Sequence, residues 1–218
     1  MESTFLSAVK AELESDVTGV EYTVNFNDTR IHSRTERQKN TLCELYTEHF
    51  QNDNLVEKSH VFVDVSGNDY FDYSDTLGEY QWVRKNFPPG ASINEVSEHT
   101  NFCELLVRLY EDGIDRTANE EYMYESNMPS NGVVVALREL FEDDGSLISH
   151  VQEIESRINI DSDKPSVRDG MIKIMTDKVV FELSFEFYRP TSVAIPSDVK
   201  ENATDLEKLA QSSLERDA

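Results

Sequence analysis

GMIKIMTDKVVFELSFEFYRP, residues 170–190, is the stretch whose reading decides the fold. Phe181, Leu183, Phe185 and Phe187 alternate with Glu182, Ser184, Glu186 and Tyr188. A period of two puts the first set on a dry face of a strand and the second on its wet face. Gly170 to Met175 supplies a partner strand, with the turn around Thr176-Asp177-Lys178. Glu182 and Glu186 share the wet face but stand ~13 Å apart at ~3.3 Å per residue. Paired glycosidase acids lie within about 5–9.5 Å. The two therefore form no acid–base pair with each other, and they read as solvent- or interface-facing polarity.

Working outward, Phe5, Leu6, Val9 and Leu13 predict a helix starting near Ser3. Val20, Tyr22, Val24 and Phe26 predict a half-buried strand. Ser33-x-x-Glu36 and Thr35-x-x-Gln38 are overlapping capping boxes, so a helix is expected, with Leu42, Leu45, Tyr46, His49 and Phe50 as its inner stripe. HVFVDVSGND (60–69) reads as a strand ending in a turn. The aromatic and acidic residues 70–90 read as a long anchored loop, and residues 114–130 as a polar loop or arm. Between them, Phe102, Leu105, Leu106 and Leu109 predict a helix stopped by Gly113. Residues 131–160 fit either two helices or strands. The Asp144-Gly145 turn signal favours strands. Thr204-x-x-Glu207 caps an expected terminal helix carrying Leu206, Leu209, Ala210 and Leu214.

The expected fold class is therefore α+β: an antiparallel sheet, mainly C-terminal hairpins, packed with several helices, plus a C-terminal amphipathic helix. The domain reading is one unit over 1–196, with an insertion at about 70–130, and a helical extension over 197–218.

Charge is the strongest compositional signal. Acidic residues number 43 against 20 basic ones, for a formal net charge of −23. They are spread along the chain rather than gathered in a tail. Such a coat repels itself in dilute buffer. At ~1 M salt the Debye length is ~3 Å, and the repulsion largely disappears. The composition resembles that of proteins from extreme halophiles. The two cysteines, Cys43 and Cys103, are too few for a disulfide scaffold. The start, Met1-Glu2-Ser3, shows neither the basic nor the apolar region of a signal peptide. No apolar run reaches the ~20 residues of a membrane helix, so no membrane association is expected.

Candidate chemistry is sparse. His99 and Cys103 lie four apart on one helical face, and Cys43 and His49 on another predicted helix. Paired metal-ligand spacings such as C-x2-C are missing, so no zinc site is assigned. Phosphate-binding, dinucleotide, serine-hydrolase and zincin motifs do not occur. Asn159, Asp161 and Asp163 begin like a calcium loop, but Lys164 and Gly170 stand where it needs Gly and Glu. No catalytic residue, cofactor, metal or small-molecule substrate is assigned. One basic cluster, Arg30, Arg34, Arg37 and Lys39, interrupts the acid. It offers a dock for an acidic neighbour, including a second copy of this chain.

The order of elements, ending in VVVALRELF…LISHVQEIESRINI…GMIKI…KVVFELSFEFY, resembles the tail-terminator and head–tail joining (neck) proteins of tailed viruses. With the acidic coat, that implies a virus of a halophilic archaeon. The resemblance implies a non-catalytic α+β subunit, located in the virion. It would form a homo-oligomeric ring that caps the tail tube and joins it to the head. Other virion proteins would be its partners, and DNA would meet it only by proximity in the lumen. The candidate subunit-interface residues are Arg30, Arg34, Arg37, Lys39, Glu182, Glu186, Leu206, Leu209 and Leu214. Two other classes stay open. One is an acidic interaction protein, a nucleic-acid mimic or a regulator, in the cytoplasm of a halophilic archaeon. The other is an enzyme with a site of scattered Asp, Glu and His.

Overall fold

The computed structural model describes residues 3–39, 41–74, 80–87, 98–117, 121–141, 148, 150–161 and 163–208. Helix α1 (Thr4–Glu14) leads into a six-strand meander: β1 (Val17–Phe26), β2 (Thr29–Gln38), β3 (Leu42–Gln51), β4 (Asn54–Asp64), β5 (Asp69–Ser74) and β6 (Gln81–Asn86). Helix α2 (Glu98–Glu111) crosses to β7 (Asp115–Arg116) and β8 (Glu121–Ser126). Helix α3 (Asn131–Leu140) separates these from β9 (Val151–Asp161), β10 (Ser166–Thr176) and β11 (Val180–Tyr188). Helix α4 (Ser197–Asn202) and β12 (Thr204–Asp205) follow.

The twelve described strands form one sheet, ordered β12-β6-β5-β4-β3-β2-β1-β11-β10-β9-β8-β7. Two meanders are thus zipped together where β11 returns antiparallel to β1. Among the described strands only β12 and β6 pair in parallel. The fold is α+β, as the opening hairpin predicts. However, the sheet extends well beyond the C-terminal hairpins.

Local chemistry sets the elements. The Ser3 hydroxyl accepts from the Leu6 N–H at 3.2 Å and starts α1. Asn52 and Asp53 both take positive φ, 49° and 60°, in the two-residue turn that joins β3 to β4. Helices α1, α2 and α3 cover one face of the sheet, hereafter the inner face, over β1 and β9–β11. Phe5, Phe102, Leu106, Leu137, Ile158 and Leu183 are fully buried there. Phe102 packs at 5.1 Å from Tyr22 and 5.2 Å from Phe185. On the outer face, Glu182, Ser184 and Glu186 are exposed, and Tyr188 is half-buried. The outer face is covered elsewhere: Ile195 and Val199, in and before α4, pack on Phe62 of β4 and Phe71 of β5.

That two-sided covering explains the main correction. Residues 33–38 and 42–50 lie in strands β2 and β3, not in a capped helix. Leu45 and His49 face inward, while Leu42, Tyr46 and Phe50 face outward, against Phe62, His60 and Arg30. Apolar groups on both faces break strict alternation and imitate a helical stripe. Residues 70–90, expected as a loop, contain β5 and β6; residues 114–130 contain β7 and β8. Strand β8 pairs with β9, and Tyr122 and Tyr124 are core. Residues 131–140 are helix, capped by Ser130, whose hydroxyl accepts from the Val133 N–H. The strand reading holds only from Val151. The Asp144-Gly145 turn lies outside the described residues, as do Leu209, Ala210 and Leu214 of the expected terminal helix. Residues 206–208 form a helical turn whose Lys208 N–H donates to Asp205 at 3.1 Å, so Asp205 rather than Thr204 caps it.

Candidate functional site

The helices leave the inner face of β2–β5 partly uncovered. A cavity of about 500 Å3 lies between that face, Glu98 at the start of α2, and Leu140 and Phe141 at the end of α3. Strand register builds its floor in rows. One row runs Tyr22, Ser33, Thr47, Ser59 across β1–β4. The next runs Val24, Ile31, His49, Glu57. Beside them, Leu45, Val61, Val63 and Tyr70 make an apolar wall.

The polar strip has its own order. The Ser33 and Thr35 hydroxyls both donate to one Glu98 carboxylate oxygen, at 2.8 and 3.0 Å. The Ser33 and Thr47 hydroxyls share a hydrogen bond of 3.0 Å. His49 places Nδ1 3.9 Å from Glu57. Its Nε2 is buried and has no hydrogen-bond partner. Among the described residues no Lys or Arg lines the cavity. The nearby cations are engaged. Lys85 meets Asp72 at 3.4 Å and lies over Tyr70, and buried Arg37 donates to the Leu13 carbonyl at 2.8 Å.

The basic cluster read from the sequence does not form one patch. Arg34 meets Glu44 at 3.3 Å on the outer face, and Arg30 lies over the Phe50 ring. Exposed Lys39 donates to the Glu14 carbonyl. Arg37 points inward, because neighbours on a strand alternate faces. It is 3% exposed, so it cannot serve as surface. Glu182 and Glu186 are exposed on the outer face, and Leu206 is half-buried.

His99 and Cys103 do share a face, inside the core. Cys43 and His49 share a face too, since six residues is an even number of strand steps. Among the described residues no group of three His, Cys, Asp or Glu could hold a metal ion. His99 belongs instead to a buried network that sequence reasoning missed. Fully buried Glu12 accepts from Arg189 at 2.5 Å, from the Thr18 hydroxyl at 3.2 Å and from the Val167 N–H at 3.2 Å. The Thr18 hydroxyl also lies 3.3 Å from His99 Nε2. Burial, with Arg37 and Arg189 nearby, pushes the His99 pKa down to about 3. A signal existed: Glu12 sits beside Leu13 on the apolar stripe of α1, three residues after Val9.

No family model matches the chain, and no curated protein matches it. Among solved structures it is similar to a β-barrel-like protein of a domain of unknown function from Brucella abortus. That match has 10% identity and a TM-score of 0.24, covering 79% of this chain and 95% of the other. A conserved hot dog fold protein of unknown function from Alicyclobacillus acidocaldarius matches at 8% identity and TM-score 0.15, covering 87% and 86%. A tesB protein of Mycobacterium avium subspecies paratuberculosis matches at 9% and 0.16, covering 86% and 84%. Scores this low establish neither a shared fold nor a shared activity. No described helix is long and apolar enough to cross a membrane.

Proposed function

We propose that this chain is a binding protein for a small amphipathic molecule, seated in the inner-face cleft. The observation that carries this reading is the cavity itself. It has an apolar wall with a few convergent polar groups, and its volume lies within the ~300–1,000 Å3 typical of ligand sites. Binding without turnover fits better than catalysis, because Nε2 of His49, the cavity's one imidazole, has no hydrogen-bonded nucleophile beside it. Leu45→Trp, which fills the cleft from its wall, tests the reading. Uptake of a fluorescent apolar probe falls at least about tenfold in the variant, equivalent to ~1.4 kcal/mol. Equal uptake by a folded variant overturns the assignment.

A second reading is the ring-forming neck subunit, and the β3–β4 hairpin favours it. Residues 51–59 are all exposed, and Leu55 and Val56 at its tip are 51% and 57% exposed. Exposed apolar residues close to a hairpin turn suit contact with a neighbour. Light scattering at about 3 M KCl tests this. A ring dissociated by Leu55→Asp with Val56→Asp supports it, and a strict monomer counts against it.

We also propose that the protein works in concentrated salt. Its support is carboxylates opposed in register across the outer face, as between Glu21 and Glu186 and between Glu186 and Asp169.

A further inference from the structure

We propose that the occupant of the cleft is a cationic amphiphile, an ammonium head on an apolar body. This rests on the cleft being a binding site and adds the chemical class of what it takes. Three observations converge on the head. First, the ionisable groups lining the cavity are Glu57, Glu98, His49, Tyr22 and Tyr70, with no Lys or Arg among the described lining residues. Second, Glu57 stands 3.9 Å from Nδ1 of His49, and no Lys or Arg among the described lining residues meets that carboxylate. Third, the molecule carries a net charge of −23, so its field draws cations towards the cleft and repels anions.

An ammonium answers all three. It carries three N–H donors and one positive charge, matching the Glu57 carboxylate on the cleft floor. A carboxylate or phosphate head would instead bring like charge against Glu57. The body of the ligand lies along Ile31, Leu45 and Val61 towards Phe141, where the wall is apolar. Glu98, already receiving the Ser33 and Thr35 hydroxyls, holds the start of α2 to the sheet and sets one rim of the cavity.

The test compares two dansyl-labelled probes of equal chain length, one ending in a primary amine and one in a carboxylic acid. Both are titrated by fluorescence into the full chain at about 1 M KCl. The amine binds at least about tenfold tighter, ~1.4 kcal/mol. Glu57→Gln removes most of that preference while leaving the shared apolar part of binding. Leu45→Trp, or Thr47→Tyr should the first variant not fold, blocks both probes. Equal or tighter binding of the acid, blocked by the same substitutions, overturns the cationic class and leaves the cleft assignment standing. No binding of either probe overturns both.

Discussion

Glu21 and Glu186 stand directly opposite one another where β1 pairs with β11, and Asp169 stands opposite Glu186 on β10. Cβ atoms of directly opposed residues lie ~4.5–5.5 Å apart, and like charges so placed are destabilising. The Debye length is ~10 Å at 0.1 M salt and ~3 Å at 1 M. The row is therefore costly in dilute buffer and screened in brine. Glu186→Gln removes both oppositions. It raises Tm by about 2–4 °C at ~0.1 M KCl, and the gain shrinks towards zero at ~2 M. Calorimetry at the two salts reads this directly, and a gain of equal size in both would sink the proposal of adaptation to salt.

Gly170 and Gly19 are each covered by a ring. A Cβ on Gly170 would lie 2.5 Å from Phe185 Cζ and 2.8 Å from the Arg157 carbonyl oxygen. The three atoms nearest to a Cβ on Gly19 all belong to the Tyr188 ring, the first at 2.6 Å. Backbone yields less than a side chain, so Gly170→Ala costs more, about 2–3 kcal/mol, and Gly19→Ala less. Tyr188→Ala largely cancels the cost of Gly19→Ala in a double-mutant cycle. Additive costs in urea unfolding would refute that ring contact.

Arg189 is the charged partner of Glu12, and it is half-exposed whereas Glu12 is fully buried. Arg189→Met strands a buried carboxylate and costs about 3 kcal/mol, the lower end for breaking such a pair. Glu12→Gln with Arg189→Met recovers part of the loss. Urea midpoints at fixed salt measure both. A double variant no more stable than Arg189→Met would show that the cost is not an uncompensated charge.

His99 makes stability depend on acid. Its folded pKa, about 3, lies below the unfolded value of ~6.5. Between those values the unfolded chain holds a proton that the folded one refuses, so stability falls as pH drops through the window. The slope is at most ~1.4 kcal/mol per pH unit. His99→Phe, beside Phe187 at 5.4 Å, flattens the profile between about pH 6 and 5, above the range where carboxylates titrate. Unfolding followed at those two pH values checks it, and an unchanged slope would acquit His99.

Cys43 and Cys103 are both fully buried. Burial, with Glu12 nearby, pushes the Cys103 thiol far above the ordinary range. Neither thiol reacts with an aromatic disulfide reagent until the chain unfolds, when both react. Rapid labelling of the native protein would show that the core opens locally.

Much of this was legible in the residues. The hairpin of β10 and β11, the stripe of α1 and the alternation of β1 each bury one face only, so their periods are clean. Ser33 and Thr35 misled for a definite reason. Hydroxyls that look like helix caps sit two apart on β2 and donate to Glu98, sixty-five and sixty-three residues away. No local pattern announces such a partner. The cleft was illegible for the same reason: His49 and Glu57 meet only because β3 and β4 pair in one register.

The sequence by itself determined the acidic coat, the β character of the C-terminal hairpin and the helices that start at Ser3 and stop at Gly113. These follow from composition and from local periodicity. Tertiary structure alone decided that β11 closes on β1, that Arg37 turns inward, and that three carboxylates share one row. It also decided that α2 reaches β2 through Glu98 while the helices leave a cleft over β3–β5. Each of these is a matter of strand register and of which face a helix covers. Register is set by contacts between residues far apart in the chain, which no window of sequence contains.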